Sequence, residues 1–285
     1  MPAEIQANDR EATINGLRLH FRDWGGDAPL SAIAVHGFAL NAHSFDEVAP
    51  ALNDQLRIFA LDQRGHGDSA WAPELSDYTR DNMVADIGGL ITELALEQPI
   101  LIGHSMGGMN AMTYAGRNPN AVRALILIDV GPEISVDGAQ EVRQFVAGPY
   151  AMESLDAWVD HTHKYYPYRS KERIRARLAV SLRETDDGQM AKQFDERFRE
   201  ASFGGVARAN DDIWDIARAV SCPTLLLHGE KSPVFKREQA EAFAEANPHV
   251  ELVTIAEAGH SVAGDQPDAF VSEVGRFLTS LGSDV

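Results

Sequence analysis

The run Gly103-His104-Ser105-Met106-Gly107, followed by Gly108, sets a serine among glycines at the spacing G-x-S-x-G. That spacing suits a very sharp turn from strand to helix, on which the serine side chain stands clear. Gly103 and Gly107 must then carry almost no side chain, or strand and helix would collide. The hydroxyl would sit at a helix N-terminus, where the dipole favours developing negative charge. A serine at pH 7 is a poor nucleophile and needs a base. The chain has 10 histidines. His161 and His163 lie in a polar stretch and read as surface residues. No carboxylate or cysteine set at ligand spacing completes that H-x-H pair, so neither a metal nor a cofactor is expected. His36, His66 and His104 flank glycines and read as structural. His260, in Glu257-Ala258-Gly259-His260, follows the last expected strand, where a loop at the sheet edge can carry it to the serine. An oxyanion needs two backbone N–H donors aimed at one point. Met106 is one candidate and Phe38, in His36-Gly37-Phe38-Ala39-Leu40, is the other, with Gly37 letting the backbone approach.

These residues need elements to hold them. SAIAVHG (31–37), LRIFALD (56–62), PILIGHS (99–105), ALILIDV (124–130) and PTLLLHG (223–229) are short apolar runs, and HVELVTIAEAGH (249–260) contains another. Continuous rather than alternating apolar residues suit strands buried on both faces of a parallel sheet. Helical patterns lie between them: 81–96 with an apolar face through Met83, Ile87, Leu90, Ile91 and Leu94, then 106–117, and two more in SPVFKREQAEAFAEAN and QPDAFVSEVGRFLTSL. TINGLRLHFRDWG reads as a hairpin turning at Asn15-Gly16. The expected fold class is α/β, a mostly parallel central sheet flanked by helices, formed by residues 1–131 and 219–285. Residues 132–218 show no buried strand pattern and are too long for a loop, so they read as an inserted helical cap. The cap's aromatics, Phe145, Tyr150, Trp158, Tyr165, Tyr166, Tyr168, Phe194, Phe198, Phe203 and Trp214, could line a pocket or pack its own small core.

Composition narrows the function classes. Of 285 residues 44% are hydrophobic and 24% charged, with a net charge of −18. Such a surface repels phosphate backbones and anionic headgroups, so no nucleic-acid or membrane partner is expected. The single cysteine, Cys222, permits no internal disulfide, and the N-terminal residues lack the apolar core of a secretion signal. A cytoplasmic location fits. Any of the amphipathic helices could pair, which leaves a homo-oligomer open.

In order along the chain, HGFALNAHSF, LDQRGHGDS, GHSMGG, LLLHGE and EAGHSV resemble the motifs of the α/β-hydrolase family, from about Ile14 to Leu281. The resemblance implies Ser105 as nucleophile and His260 as base, with Phe38 and Met106 as oxyanion donors. One position departs from the pattern. In most members the triad acid stands three residues after the glycine that ends the LLLHG strand; here that position is Ser232. Some relatives take the acid from the end of the preceding strand, which points to Asp129, with Glu230 in reserve. The serine excludes relatives that attack through an aspartate. Hydrolysis of a small-molecule carboxylic ester or lactone is the leading expectation. Carbon–carbon bond hydrolysis of meta-cleavage type, a cofactor-free perhydrolase or haloperoxidase, and a non-catalytic ligand receptor are the alternatives.

Overall fold

The computed structural model describes residues 5–133, 135–165, 169–199 and 213–282. The strands in chain order are β1 (Asn8–Ile14), β2 (Leu17–Asp23), β3 (Leu30–Val35), β4 (Leu56–Leu61), β5 (Ile100–His104) and β6 (Ala124–Ile128), then β7 (Ala151–Met152), β8 (Leu182–Glu184), β9 (Met190–Lys192), β10 (Thr224–Gly229) and β11 (Val250–Ile255). Eight of them make one sheet in the order β1-β2-β4-β3-β5-β6-β10-β11. From β4 to β11 neighbours run parallel; β1 and β2 pair antiparallel and so does β2 with β4. The hairpin turns at Asn15 and Gly16, both at positive φ of 52° and 78°. That conformation matches the twist of the strands it joins.

The continuous apolar runs are explained by burial on both faces. Ile33, Val35, Leu101, Leu125 and Leu127 feed one core cluster, while Ala32, Ala34, Ile100, Ile102, Ile126 and Ile128 feed the other. Helices cover both. The helix Arg80–Glu93 starts where the Thr79 hydroxyl accepts the Asn82 N–H at 3.1 Å. Among the described residues no helix is long and apolar enough to cross a membrane.

Between β6 and β10 lie the helices Val136–Ala147, Leu155–Tyr165 and Lys171–Ala179. Helices alone were expected in this stretch, but β7, β9 and β8 also form a small antiparallel sheet. Strands of two or three residues carry no readable period; this sheet is fixed instead by contacts such as Trp158 Nε1 donating to Met190 O at 2.7 Å. The helix Ile213–Ala219, assigned by sequence mostly to the insertion, packs against the helix after β5: a methyl on Gly116 would lie 2.5 Å from Ile216 O. The insertion is tied to the sheet's loops elsewhere too. Asn41 Nδ2 donates to Val180 O and Gln193 Oε1, both at 2.8 Å, and the Gly67 N–H donates to Gln193 O at 2.8 Å.

The order β4-β3-β5 reverses direction at β3. Loops leaving β3 and β5 at their C-terminal ends therefore part to opposite faces and open a crevice between them. In register, Val35 faces Gly103 and His104 faces Ile128. The segment after β3, the turn after β5 and the residue after β6 are thus neighbours at one edge.

Candidate active site

Ser105 joins β5 to the helix Met106–Arg117 with φ 51° and ψ −118°, a strained conformation for a residue with a side chain. Its N–H donates to Ile128 O at 3.2 Å, and its carbonyl accepts from Met109 N–H at 2.9 Å. The surrounding glycines are required by space. A methyl on Gly103 would lie 2.3 Å from Gly108 Cα, and one on Gly107 would lie 2.2 Å from Val35 O. Neither contact can relax without moving strand from helix. Gly107→Ala is accordingly expected to lower the melting temperature by about 5 °C or more, checked by calorimetry.

Asp129 follows β6 at φ 52° and is fully buried. Its Oδ1 accepts the Gly229 N–H at 2.9 Å, and its Oδ2 bonds His260 Nδ1 at 2.7 Å. The Ser232 hydroxyl also reaches Asp129 Oδ2. Ser232 Oγ meanwhile accepts the N–H groups of Val234 at 3.2 Å and Phe235 at 3.3 Å, so its own proton goes to the carboxylate. Ser232, which stands where the resemblance implies an acid, is therefore a hydrogen-bond donor to Asp129. A carboxylate accepting throughout makes Nδ1 of His260 the donor and leaves the lone pair on Nε2. Glu230 is held apart: it is exposed, and its carboxylate accepts the Glu257 N–H at 2.9 Å.

The segment after β3 closes on the same point. A methyl on Gly37 would come within 2.7 Å of His104 Nδ1 and 3.3 Å of Ser105 Cβ. Leu40 N–H returns to Gly37 O at 3.2 Å, with Ala39 at φ 58°, so Phe38 is held in a tight turn beside the elbow. The Phe38 ring is anchored edge-on to His66 and Phe198, with centroids at 5.5 and 5.3 Å. Met106 opens the helix, where first-turn N–H groups have no intrahelical acceptor.

A model of the α/β-hydrolase fold matches residues 33–267. The chain belongs to the α/β-hydrolase family. A solved α/β hydrolase from Novosphingobium aromaticivorans superposes with a TM-score of 0.87 at 29% identity, covering 96% of this chain and 98% of that one. An esterase of Mycobacterium tuberculosis is 31% identical over 88% of this chain and 83% of its own length. A 2-(acetamidomethylene)succinate hydrolase of Mesorhizobium japonicum is 28% identical over 98% of this chain and 99% of its own length.

In this α/β hydrolase the histidines that flank the motif glycines make structural contacts. His36 is a structural group: Nδ1 bonds Gly37 O at 2.7 Å and Nε2 accepts the Gln63 N–H at 3.0 Å. His66 is fully buried, which pushes its imidazole down to about 3. His104 is structural too. Its Nε2–H donates to His260 O at 2.8 Å and its ring stands 4.8 Å from the His260 ring. Burial first, then the neighbouring His260, hold it well below the usual histidine range, so it stays neutral while steadying the loop that carries His260. Only its place in G-H-S could have singled it out. In LDQRGHGDS, Asp62 serves structure: it accepts from Ala42 N–H at 2.6 Å, Asp68 N–H at 3.0 Å and His20 Nδ1 at 2.7 Å. Of the insertion's aromatics, Trp158, Phe194 and Phe198 are buried and Tyr150 packs on Phe194. Trp214 lies against the hydrolase core instead. Phe145, Tyr165, Tyr166, Tyr168 and Phe203 fall outside the described side chains.

Proposed function

We propose that this hydrolase cleaves a small carboxylic ester or lactone through an acyl-enzyme on Ser105. The reading is carried by the 2.7 Å bond between buried Asp129 and His260 Nδ1, set next to a strained serine elbow. Ser105 Oγ attacks the acyl carbon while His260 Nε2 takes its proton. The tetrahedral oxyanion is held by the N–H groups of Phe38 and Met106. As the intermediate collapses, His260 returns the proton to the departing alcohol oxygen. Water then repeats the sequence, losing a proton to His260, and releases the acid with Ser105 restored. Asp129 holds the imidazole in the tautomer this requires. Residues 132–218 act as a cap that sets specificity, and the single cysteine fits a reducing, cytoplasmic setting. The relative named for 2-(acetamidomethylene)succinate, matched over nearly its whole length, supports an acetamido-bearing acid as a second substrate class.

The test is a stopped-flow trace with p-nitrophenyl butyrate together with fluorophosphonate labelling. A burst of about one equivalent of p-nitrophenol, and one covalent adduct mapping to Ser105, are expected. Folded protein that gives neither burst nor adduct would count against an acyl-enzyme and favour a receptor on the same fold.

A further inference from the structure

Beside the elbow lies a small cavity whose walls include Leu40, Ser44, His104, Arg177, Ser261 and Gly264. Its place relative to the reacting groups follows from the chain. His104 precedes Ser105, Ser261 follows His260, and Ile128, also in the wall, precedes Asp129. Leu40 belongs to the tight turn that carries Phe38. Each proposed triad member thus has a chain neighbour in the wall, which sets the cavity beside the candidate site.

Arg177 comes to this cavity from the inserted helix Lys171–Ala179. Its Nη1 is shut off from water and has no hydrogen-bond partner. Among the described residues no carboxylate comes within ion-pair distance of its guanidinium. The nearby acids are engaged: Asp265 pairs with Arg169 at 2.5 Å and accepts the Gly259 N–H at 3.0 Å, and Glu47 faces Arg173 at 3.5 Å. Three arginines against two acids leave a positive surplus in a chain of net charge −18. A guanidinium placed only to tie the insertion down would find a carbonyl, as Arg173 does with Gly264 O at 3.0 Å. Gly264 also makes room for Arg177, since a methyl there would lie 2.2 Å from Nη1. An uncompensated charge at such a position costs stability, and groups of that kind cluster where a ligand supplies the missing partner.

We propose that Arg177 receives a carboxylate of the substrate, so that the bond cleaved at Ser105 belongs to a molecule with a second, anionic end. This rests on the serine-hydrolase reading for the bond cleaved, but not for the binding itself. A planar guanidinium can grip a carboxylate with two parallel bonds, which would fix the scissile group relative to Ser105.

Two measurements separate the proposal from that reading. The first compares the mono-p-nitrophenyl ester of glutaric acid with p-nitrophenyl butyrate. In wild type the ratio of their kcat/KM values is expected to favour the carboxylated ester by about tenfold or more. Arg177→Gln is expected to erase that preference and Arg177→Lys to restore part of it. An unchanged ratio in Arg177→Gln overturns the proposal. The second uses glutarate itself as a ligand of the Ser105→Ala protein, followed by melting temperature. A rise that vanishes in the Ser105→Ala, Arg177→Gln double variant supports the carboxylate site even if no ester is turned over, whereas no rise, or one that survives Arg177→Gln, overturns it. Arg177→Gln should itself melt at or above the wild-type temperature, because it removes an unpaired charge.

Discussion

Ser105→Ala is expected to hydrolyse p-nitrophenyl butyrate about 100,000-fold more slowly than wild type, with the melting temperature within a few degrees. The size of the loss follows from the division of labour at the site. In the proposed mechanism, loss of the hydroxyl leaves His260 no group to activate, and its bond to Asp129 no catalytic consequence. Direct attack by water, aided only by binding and the N–H pair at Phe38 and Met106, would remain. Stability should hold because Ser105 bonds its neighbours through its backbone, to Ile128 O and from Met109 N–H. Alanine meets the same positive φ of 51° with a side chain of similar bulk at Cβ. A Ser105→Ala protein that keeps its turnover would show that the hydrolysis does not pass through this residue. His260→Ala should fall nearly as far, since residues acting as one unit do not lose rate additively.

The sheet and the elbow were legible in the sequence because their signals are local. Five continuous apolar runs and a strand-turn-helix glycine pattern each report on fewer than about ten residues. The partners of the site are another matter. Asp129 and His260 are 131 positions apart, and Ser232 is 103 from Asp129. No periodicity reports such a distance. Asp129 could be put forward only because the resemblance left Ser232 standing where an acid was due, with Glu230, exposed in the fold, as its rival. The partner of the His104 ring, the His260 carbonyl, is likewise invisible from its chain neighbours. Arg177 sits among Arg173 and Arg175 in a charged helix, a pattern that normally means a solvated face. The shielding of its Nη1 depends on how the insertion lies against Gly264, which the sequence does not encode in any single segment.

Asp129→Asn is expected to lower kcat by about 1,000- to 10,000-fold with a smaller change in KM. The reason lies in the donors around the carboxylate. Gly229 N–H donates to Oδ1, while Ser232 O–H and His260 Nδ1 both meet Oδ2. In the amide, one of those two positions becomes an NH2. With the amide oxygen kept on Gly229, the NH2 group points at His260 Nδ1 and can only donate. That moves the imidazole proton to Nε2, where the ring can no longer accept from Ser105. Glu230→Gln, by contrast, should stay within about twofold of wild type, because its carboxylate is exposed and bonds a backbone N–H. Full activity in Asp129→Asn, or a collapse in Glu230→Gln, would remove Asp129 from the triad. The neighbouring serine offers a sharper test. Ser232→Asp alone sets a second carboxylate within hydrogen-bond reach of a buried one, and is expected to cost about 2–4 kcal/mol of stability. Combined with Asp129→Asn, the same substitution restores a carboxylate at the position the family commonly uses, with the amide now free to donate to it. The double variant is expected to recover at least about tenfold in kcat over Asp129→Asn. Two substitutions that each harm the protein and together repair it are explained by one shared carboxylate site at this edge of the sheet, and not by two independent structural roles.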